Sequence, residues 1–449
     1  MYVMVSPGNY EKLLLQIARP QISNPFLNME WVIIFTIEME NNALKDLFQR
    51  EFAKIVAVIS KQFGLKHIAL AEDIVSETFL TAIESWAVKG IPENPTAWLY
   101  KVARQKCLYH FRRGKIYDEK VLPNLTSQHA HTEGFSELNF TNDNIRDSQL
   151  QMMFAVCNPA IASEAQIGLA LRILCGFSIE EIAEAFLSNK ETINKRLFRA
   201  KERLREENIT LSRVVEDQTE IINRLDNVLH MIYLLFNEGY YSRTQNEILR
   251  RDLCYEAMRL GVMLTEYSPT NLPMTNALMA LMCFHASRFN ARQTNENSMV
   301  LYEQQNEDSW DQDLIRQGRH FLLRSAEGDE MTSYHLEAKI ASWHCIKEDT
   351  QEKWDQILQL YNQLLMINYS PAVALNRTFA LYKANGREIA LKEAEKLRLE
   401  HNHFYFVLLG ELYREVDEKK AKFNYQKALA LAKTEIEKQG IQEKINKLS

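Results

Sequence analysis

The sequence predicts an all-α protein. Glycine and proline are scarce, at 14 and 10 among 449 residues, and stretches in which Val, Ile and Thr alternate with polar residues are hard to find. Apolar residues instead recur every three or four positions, which is the period of an amphipathic helix. The hydrophobic content of 46% is normal for folded cores. A chain of this length should contain roughly two to four domains.

Residues 1–38 differ from the rest of the chain. They contain Pro7, Pro20 and Pro25 and have no clear period, so we expect a disordered or non-native extension that precedes the natural start. The apolar stretch Trp31–Ile37 is too short to cross a bilayer. No basic segment precedes a signal-peptide core. We therefore expect no membrane segment and a cytoplasmic location.

Residues 40–113 are predicted to form a first folded block of three or four helices. Apolar residues keep a helical spacing up to a break at Gly64, and a second amphipathic helix follows over Ile68–Trp86. The segment Gly90–Pro95 should be a loop, because its two prolines cannot continue a helix. A third helix is then expected over Ala97–Arg113.

The third helix carries a run of cations without an intervening acid. Aromatic residues such as Tyr100 and Tyr109 lie among them. Cations mixed with rings suit contact with a nucleic-acid backbone and stacking on unpaired bases. The alternative is that the rings belong to the core and the cations face solvent, and the residues alone do not decide between the two. The cations are Lys101, Arg104, Lys106, Arg112, Arg113 and Lys115.

A second block is predicted over residues 148–206. Between the blocks, residues 114–147 contain scattered Pro, Gly, Asn and Ser and predict a flexible linker. The block ends in a helix-turn-helix pattern at Phe177–Arg205. Ser178, followed three residues later by Glu181, forms a capping-box signature that should start its first helix.

The second helix of this pattern has an apolar side and a cationic side. In a DNA-binding helix-turn-helix, the first residues of the second helix meet base edges and later cations hold phosphate. A solvated charged helix is the alternative, because basic helices are common. Since the net charge of the chain is −6, any nucleic-acid surface has to be local. The cationic side contains Lys190, Lys195, Arg196, Arg199, Lys201, Arg203 and Arg205, against only Glu191 and Glu202.

Two segments together resemble a known family. AEDIVSETFLTAIESW (Ala71–Trp86), followed by PTAWLYKVARQKCLYHFRR (Pro95–Arg113), resembles the second conserved region of bacterial sigma-70 family factors of the small extracytoplasmic-function type. The helix-turn-helix resembles their fourth region, including Thr192-Ile193, Arg196-Leu197 and Arg199-Ala200. The resemblance implies two small helical sigma domains that join RNA polymerase core enzyme and bind promoter DNA.

The resemblance also implies three groups of site residues. Asp73, Glu77 and Phe79 match the surface that docks on core polymerase. Asn94, in the loop that captures an unpaired base, and the cations beside it match the −10 contacts; these residues are Asn94, Lys101, Arg104, Arg112 and Arg113. The −35 contacts are implied for Lys190, Thr192, Asn194, Lys195, Arg196 and Arg199. The chain departs from the family at Gln105, where such factors often have Asn.

The chain continues well beyond the end of minimal factors of this type. A long helix predicted over Glu220–Phe236 should end with Gly239 as its C-cap. YLLFNEGYY and Ile248–Leu260 resemble the extension of one subgroup, which ends in tetratricopeptide-like helical pairs. We therefore expect a helical extension domain at 218–330 and helical repeats at 331–449.

A period of 34 residues supports these repeats. The first helix of each pair has matching residues, because Leu375, Asn376 and Phe379 recur as Leu409, Gly410 and Tyr413. The second helix of the later pair is completed by Ala421, Tyr425, Ala428 and Leu429. Stacked helical pairs form a concave surface that commonly binds a peptide or protein. The alternative is a structural brace.

Catalytic, metal and cofactor sites are not predicted. The six cysteines are scattered without a CxxC, and no His pair has a second pair at zinc spacing. A nucleophile with an orienting partner and a phosphate loop are also missing. Prominent residues of the extension are expected to be helix caps and ion pairs; they are Asn237, Glu238, Arg250, Arg251, Asp252, Glu256, Trp310 and Asp311.

The sequence therefore predicts a sigma factor rather than an enzyme, with a C-terminal extension that binds a partner or regulates the factor. Two other functions remain open. The chain could be a DNA-binding regulator that does not join polymerase, or a helical-repeat scaffold with a vestigial DNA-binding part. Core binding separates the first alternative from a sigma factor. Salt-dependent DNA binding separates the second.

Overall fold

A computed structural model describes residues 44, 47–121, 138–186, 188–206, 218–240, 249–292, 300 and 302–448, with the backbone alone at 111–121, 218, 220 and 436. The extension expected at 1–38 lies outside the described residues. The chain divides into two compact units, Met1–Arg50 and Glu51–Ser449, and the helices below belong to the second.

The predicted all-α class is confirmed. Over the described ranges the secondary structure is helical with no strand. None of the helices described combines the length and the apolar character needed to cross a membrane.

The first block contains three helices. Residues 51–63 are helical (α1), Gly64 breaks the helix with φ 88°, and α2 runs over Ile68–Lys89. Helix α3 begins at Pro95, earlier than predicted, because proline is favoured in the first turn and Asn94 caps it. It reaches Val121, so the predicted linker at 114–147 begins as helix.

The second block consists of four helices and a π-turn. Helix α4 (Asn142–Val156) begins inside the predicted linker. It is followed by α5 (Ser163–Leu169) and by a π-turn at Ala170–Leu174, in which Cys175 N donates to Ala170 O at 3.1 Å. The block ends with α6 (Ile179–Ala185) and α7 (Lys190–Glu206).

The extension continues with packed helices. Its first five are α8 (Gln218–Tyr240), α9 (Arg251–Glu266), α10 (Pro273–Ala286), α11 (Gln312–Ser325) and α12 (Ser333–Trp343). Helices α8 and α9 pack on α4 of the second block. The predicted C-cap at Gly239 is wrong, because Gly239 and Tyr240 are both still helical. Glycine is required there because a β-carbon would lie 2.6 Å from Arg250 O.

The remaining helices stack one after another. They are α13 (Gln351–Ile367), α14 (Pro371–Asn385), α15 (Arg387–Leu397), α16 (His403–Tyr413), α17 (Glu418–Leu431) and α18 (Glu435–Asn446). Leu375 and Leu409, one period apart, are both buried, as are Tyr425 and Ala428 of α17. Packing continues across the expected boundary between 330 and 331, because α12 lies against α10.

Candidate nucleic-acid interface

The capping box predicted at the start of the helix-turn-helix is present in the structure. Ser178 Oγ accepts from Glu181 N at 3.1 Å, and the Glu181 carboxylate accepts from Ser178 N at 2.8 Å. Both bonds of the capping box are therefore present, and α6 starts at Ile179. Such a cap stabilises a helix start by about 1 kcal/mol. The short α6 is thereby held in place in front of α7.

Helix α7 separates apolar and polar residues along its length. Asn189 Oδ1 accepts from Thr192 N at 2.8 Å and caps the start of the helix. The predicted apolar stripe is buried, and it consists of Ile193, Leu197, Ala200 and Leu204. The opposite side is exposed near the start of the helix, where it presents Thr192, Asn194, Lys195, Phe198 and Arg199. An exposed helix start of this kind has the shape that enters a major groove.

A cationic groove of about 460 Å³ lies between α7 and the segment before α5. Its walls combine cations with small apolar side chains, so a chain of phosphates could approach closely. The lining residues are Ala160, Ile161, Ala162, Ala165, Thr192, Lys195, Arg196, Arg199, Ala200 and Arg203. Four of the six predicted −35 residues are thus brought together in one groove.

Two of the predicted −35 cations have acidic partners within the second block. Lys190 Nζ lies 2.6 Å from Glu180 and its hydrogen bond lowers the pKa of that carboxyl group. Arg196 lies 3.1 Å from Glu164 on α5, and its guanidinium stands 5.7 Å from the centre of the Phe186 ring. These pairs are partly or fully exposed, so each is weak and phosphate can compete for the cation.

Helix α2 presents an acidic and apolar face to solvent. Asp73 and Glu77 are exposed. Phe79 is not, because its side chain is 4% exposed and belongs to the core. The helical period places it with the buried Val75 and Ala82, so Phe79 can only support the docking face from beneath in this state, and its docking role stays a prediction.

The predicted −10 residues occupy different environments. Asn94 Oδ1 accepts from Ala97 N at 2.9 Å and caps α3, whereas Lys101 is exposed. Arg104 donates to Leu138 O at 2.8 Å and is thereby used to hold the segment that enters α4. The side chains of Arg112 and Arg113 lie outside the described residues.

Tyr100 is engaged by the chain itself. Its hydroxyl donates to Glu51 at 2.6 Å, and its ring stacks on Phe140 with the centroids 4.6 Å apart. Burial and the Glu51 carboxylate raise the pKa of Tyr100 above its ordinary value. In this state Tyr100 is a packing residue. Tyr109, one of the other rings among the cations, is 62% exposed and open to contact.

Sequence reasoning missed Phe198. It is 66% exposed on α7 and is flanked by the exposed Asn194, Lys195 and Arg199. Its position outside the apolar stripe, one turn after Asn194, could have identified it. An exposed aromatic ring can make an apolar contact with the methyl group of thymine.

The prominent residues of the extension make structural contacts. Trp310 is buried and stacks on Tyr302, and Asp311 Oδ1 caps α11 through Asp313 N and Leu314 N at 2.9 and 3.0 Å. Arg250 pairs with Asp252 at 2.8 Å. Within the described part of the chain, no cluster of three metal-ligating side chains occurs. Burial raises the pKa of the Cys107 thiol to about 12, which leaves it protonated.

Comparison with known proteins identifies the first block. Residues 47–116 match the family described as Sigma-70 region 2, and residues 224–326 match a family of unknown function, DUF6596. An uncharacterized protein of Rhizobium meliloti (strain 1021) is 32% identical over 375 residues, which cover 82% of this chain and 87% of that protein. No solved structure matches the chain.

The helical first block therefore contains a sigma-70 region 2 domain, which supports a sigma-70 family factor; members of that family are transcription initiation factors and not enzymes. The chain belongs to the same family as the uncharacterized Rhizobium meliloti protein, with which it shares most of its length. The sigma-70 class implies RNA polymerase core enzyme as a partner.

Proposed function

We propose that this sigma-70 family chain is a promoter-specificity subunit of the extracytoplasmic-function type, which acts in the cytoplasm. One observation carries the proposal. The region 2 match is followed, in the same compact unit, by α7, whose cations and polar first turn are exposed. That pairing is what a factor needs to hold two promoter elements. We call α7 the recognition helix from here on.

Core polymerase is proposed to bind the exposed face of α2. Asp73 and Glu77 supply charge there, and Leu80 and Ile83 are 58% and 49% exposed and supply apolar area. Interfaces of this kind combine an apolar centre with a charged rim, and the rim charges steer association. Phe79 supports this face from beneath.

Promoter DNA is proposed to meet both blocks. The −10 element is assigned to the loop around Asn94 and to Lys101, with Arg112 and Arg113 further along α3. The −35 element is assigned to the start of the recognition helix, where Thr192, Asn194 and Lys195 are exposed. Cations that line the groove, among them Lys195, Arg196 and Arg199, would hold phosphate and fix the orientation of the helix on the duplex.

The extension is proposed to bind a protein or peptide partner and to regulate the factor. The stacked pairs α14–α15 and α16–α17 support a tetratricopeptide-like interpretation, because Leu375 and Leu409 lie 34 positions apart and are both buried. Stacked helical pairs of this kind present extended concave surfaces, which bind proteins or peptides.

Reconstitution with core polymerase tests the proposal. The full chain should be captured by core enzyme, and the complex should protect promoter DNA at two sites. Asp73→Arg should abolish capture, since it reverses the charge of an exposed residue on the docking face. Asp329→Arg is the matched control, because Asp329 is exposed in the extension.

The outcomes separate the alternatives. Salt-dependent DNA binding without core capture would identify a regulator that does not join polymerase. Loss of salt dependence, together with no effect of Arg196→Ala, would identify a scaffold. Unchanged capture by the Asp73→Arg protein would contradict the docking face.

A further inference from the structure

The carboxylate of Glu72 joins the two sigma blocks. Glu72 lies on α2, and its Oε1 is 3.0 Å from Arg172 Nε of the π-turn. Its Oε2 pairs with Lys201 of the recognition helix. We propose that Glu72 is a latch that holds the chain in a closed state, in which its two DNA-binding blocks cannot reach both promoter elements. This inference rests on the proposed function and names its regulation.

The three latch residues are shielded from water. Glu72 is 6% exposed, and the side chains of Arg172 and Lys201 are 14% and 20% exposed. Removing one partner of a buried pair leaves a charge uncompensated, whereas separating the blocks returns every charge to water. A single substitution should therefore destabilise the closed state, whereas opening leaves no charge buried without a partner, which suits a switch.

Further contacts hold Arg172 in position. Its Nη1 donates to Phe177 O at 3.0 Å, immediately before α6, and its guanidinium lies 4.6 Å from the centre of the Phe52 ring. The recognition helix also packs on the turn Leu65–His67 of the first block. Arg172 thus links the start of the helix pair to the first block.

The closed state is too short for a promoter. The elements centred near −35 and −10 are roughly 25 base pairs apart, or about 85 Å along the duplex at ~3.4 Å per base pair. From Thr192 to Lys201 the recognition helix rises about 14 Å, and from Glu72 to Gly90 α2 rises about 27 Å, at ~1.5 Å per residue. Even if both helices extended in opposite directions from the latch, they would span only about half of the required distance.

The extension contacts the same turn that carries Arg172. Arg259 Nη2 of α9 donates to Leu174 O at 2.7 Å, and its Nε pairs with Glu256 at 2.9 Å. Leu174 is the last residue of the π-turn. Movement of α9 would therefore act directly on the turn that holds the latch, which connects a partner of the extension to opening.

The test compares two DNA probes made from the promoter mapped by reconstitution. One probe carries only the −35 duplex, and the other carries the −35 duplex joined to an unpaired −10 element. The free, unaltered chain should bind both equally. Glu72→Gln should bind the two-element probe at least tenfold more tightly than the −35 probe, because a tethered second site gains by effective concentration.

Two variants guard the interpretation. Lys201→Gln removes the other side of the latch at a less buried position and should raise the same ratio, while circular dichroism checks that each variant is folded. Glu164→Gln is the matched control. It removes a carboxylate that pairs with Arg196 of the recognition helix, but within the second block, so the ratio should stay at one.

A tenfold preference for the two-element probe in the unaltered chain would overturn the latch. So would an unchanged ratio in both folded latch variants. If neither the chain nor its variants bind the −35 duplex or core polymerase, the proposed function itself fails and the latch with it.

Discussion

The Tyr425 ring occupies the space where a side chain at Gly410 would lie. A β-carbon built on Gly410 would be 2.6 Å from the ring, and Tyr425 itself is 1% exposed. Its hydroxyl donates to Glu411 at 2.7 Å. The close approach of α16 and α17 therefore depends on the absence of a side chain at residue 410.

Gly410→Ala should destabilise the extension by about 1–3 kcal/mol, because overpacking forces the ring or the backbone to move. The measurement is chemical unfolding monitored by circular dichroism. Gly440→Ala is the matched control, since nothing lies within 4 Å of its β-carbon. In an unobstructed helix this change should stabilise by about 0.5–1 kcal/mol. Equal effects of the two changes would show that the pair α16–α17 is packed differently.

Lys195→Ala should weaken −35 duplex binding for every sequence. If Lys195 neutralises one phosphate, the slope of log K against log salt should fall by about 0.9. Asn194→Ala should instead relax the preference at one base pair, at a cost of about 1–3 kcal/mol for the favoured base. Lys438→Ala changes a partly exposed cation of α18 that pairs with Glu435, and it should change neither. Fluorescence anisotropy at several salt concentrations measures both effects.

Phe198 should read a thymine methyl group. Replacing each thymine of the −35 duplex by deoxyuracil should reveal one position that costs about 0.8 kcal/mol, the value of one buried methyl-sized group. In Phe198→Ala that cost should vanish. Leu323→Ala serves as the control, because Leu323 is 74% exposed in the extension. If the thymine preference persists in Phe198→Ala, another residue makes the contact with the methyl group.

Stability should fall between about pH 5 and pH 8 because of Glu337. Burial raises the pKa of this carboxyl group to about 7. A 3.0 Å hydrogen bond from the Tyr233 hydroxyl acts in the opposite direction and lowers the pKa. The folded state holds the proton more tightly than the unfolded state, so this contribution is complete below the unfolded pKa and is lost as pH rises through 7. The side chain retains some exposure, so the loss is at most about 3 kcal/mol.

Glu337→Gln should remove this pH dependence, and the variant should exceed the unaltered chain in stability at pH 8. Urea unfolding at both pH values measures the difference, in which the other titrating groups cancel. Glu352→Gln, an exposed residue of α13, should leave the dependence in place. Parallel pH profiles for the unaltered chain and Glu337→Gln would show that Glu337 does not titrate in this range.

Local signals in the sequence were reliable where short-range contacts decide the structure. The start at Ser178 follows from a box of two hydrogen bonds across three residues, and the buried stripe of α7 follows from helical spacing. Phe79 is buried, whereas the resemblance to the family implied that it belongs to the docking surface. Local reasoning failed at Gly239, which does not end the helix. The position needs glycine because the Arg250 backbone lies too close for a β-carbon.

The sequence by itself determined the helical class, the region 2 block and the polar start of α7, because period, caps and charge act over a few residues. Only the tertiary structure decided which charged side chains are exposed and which are buried in ion pairs. Glu72 sits among the acids of an amphipathic helix, and its partners lie 100 and 129 positions away along the chain. Burial shields Glu72, Arg172 and Lys201 from water together. An ion pair that depends on such burial cannot be recognised from a local sequence pattern.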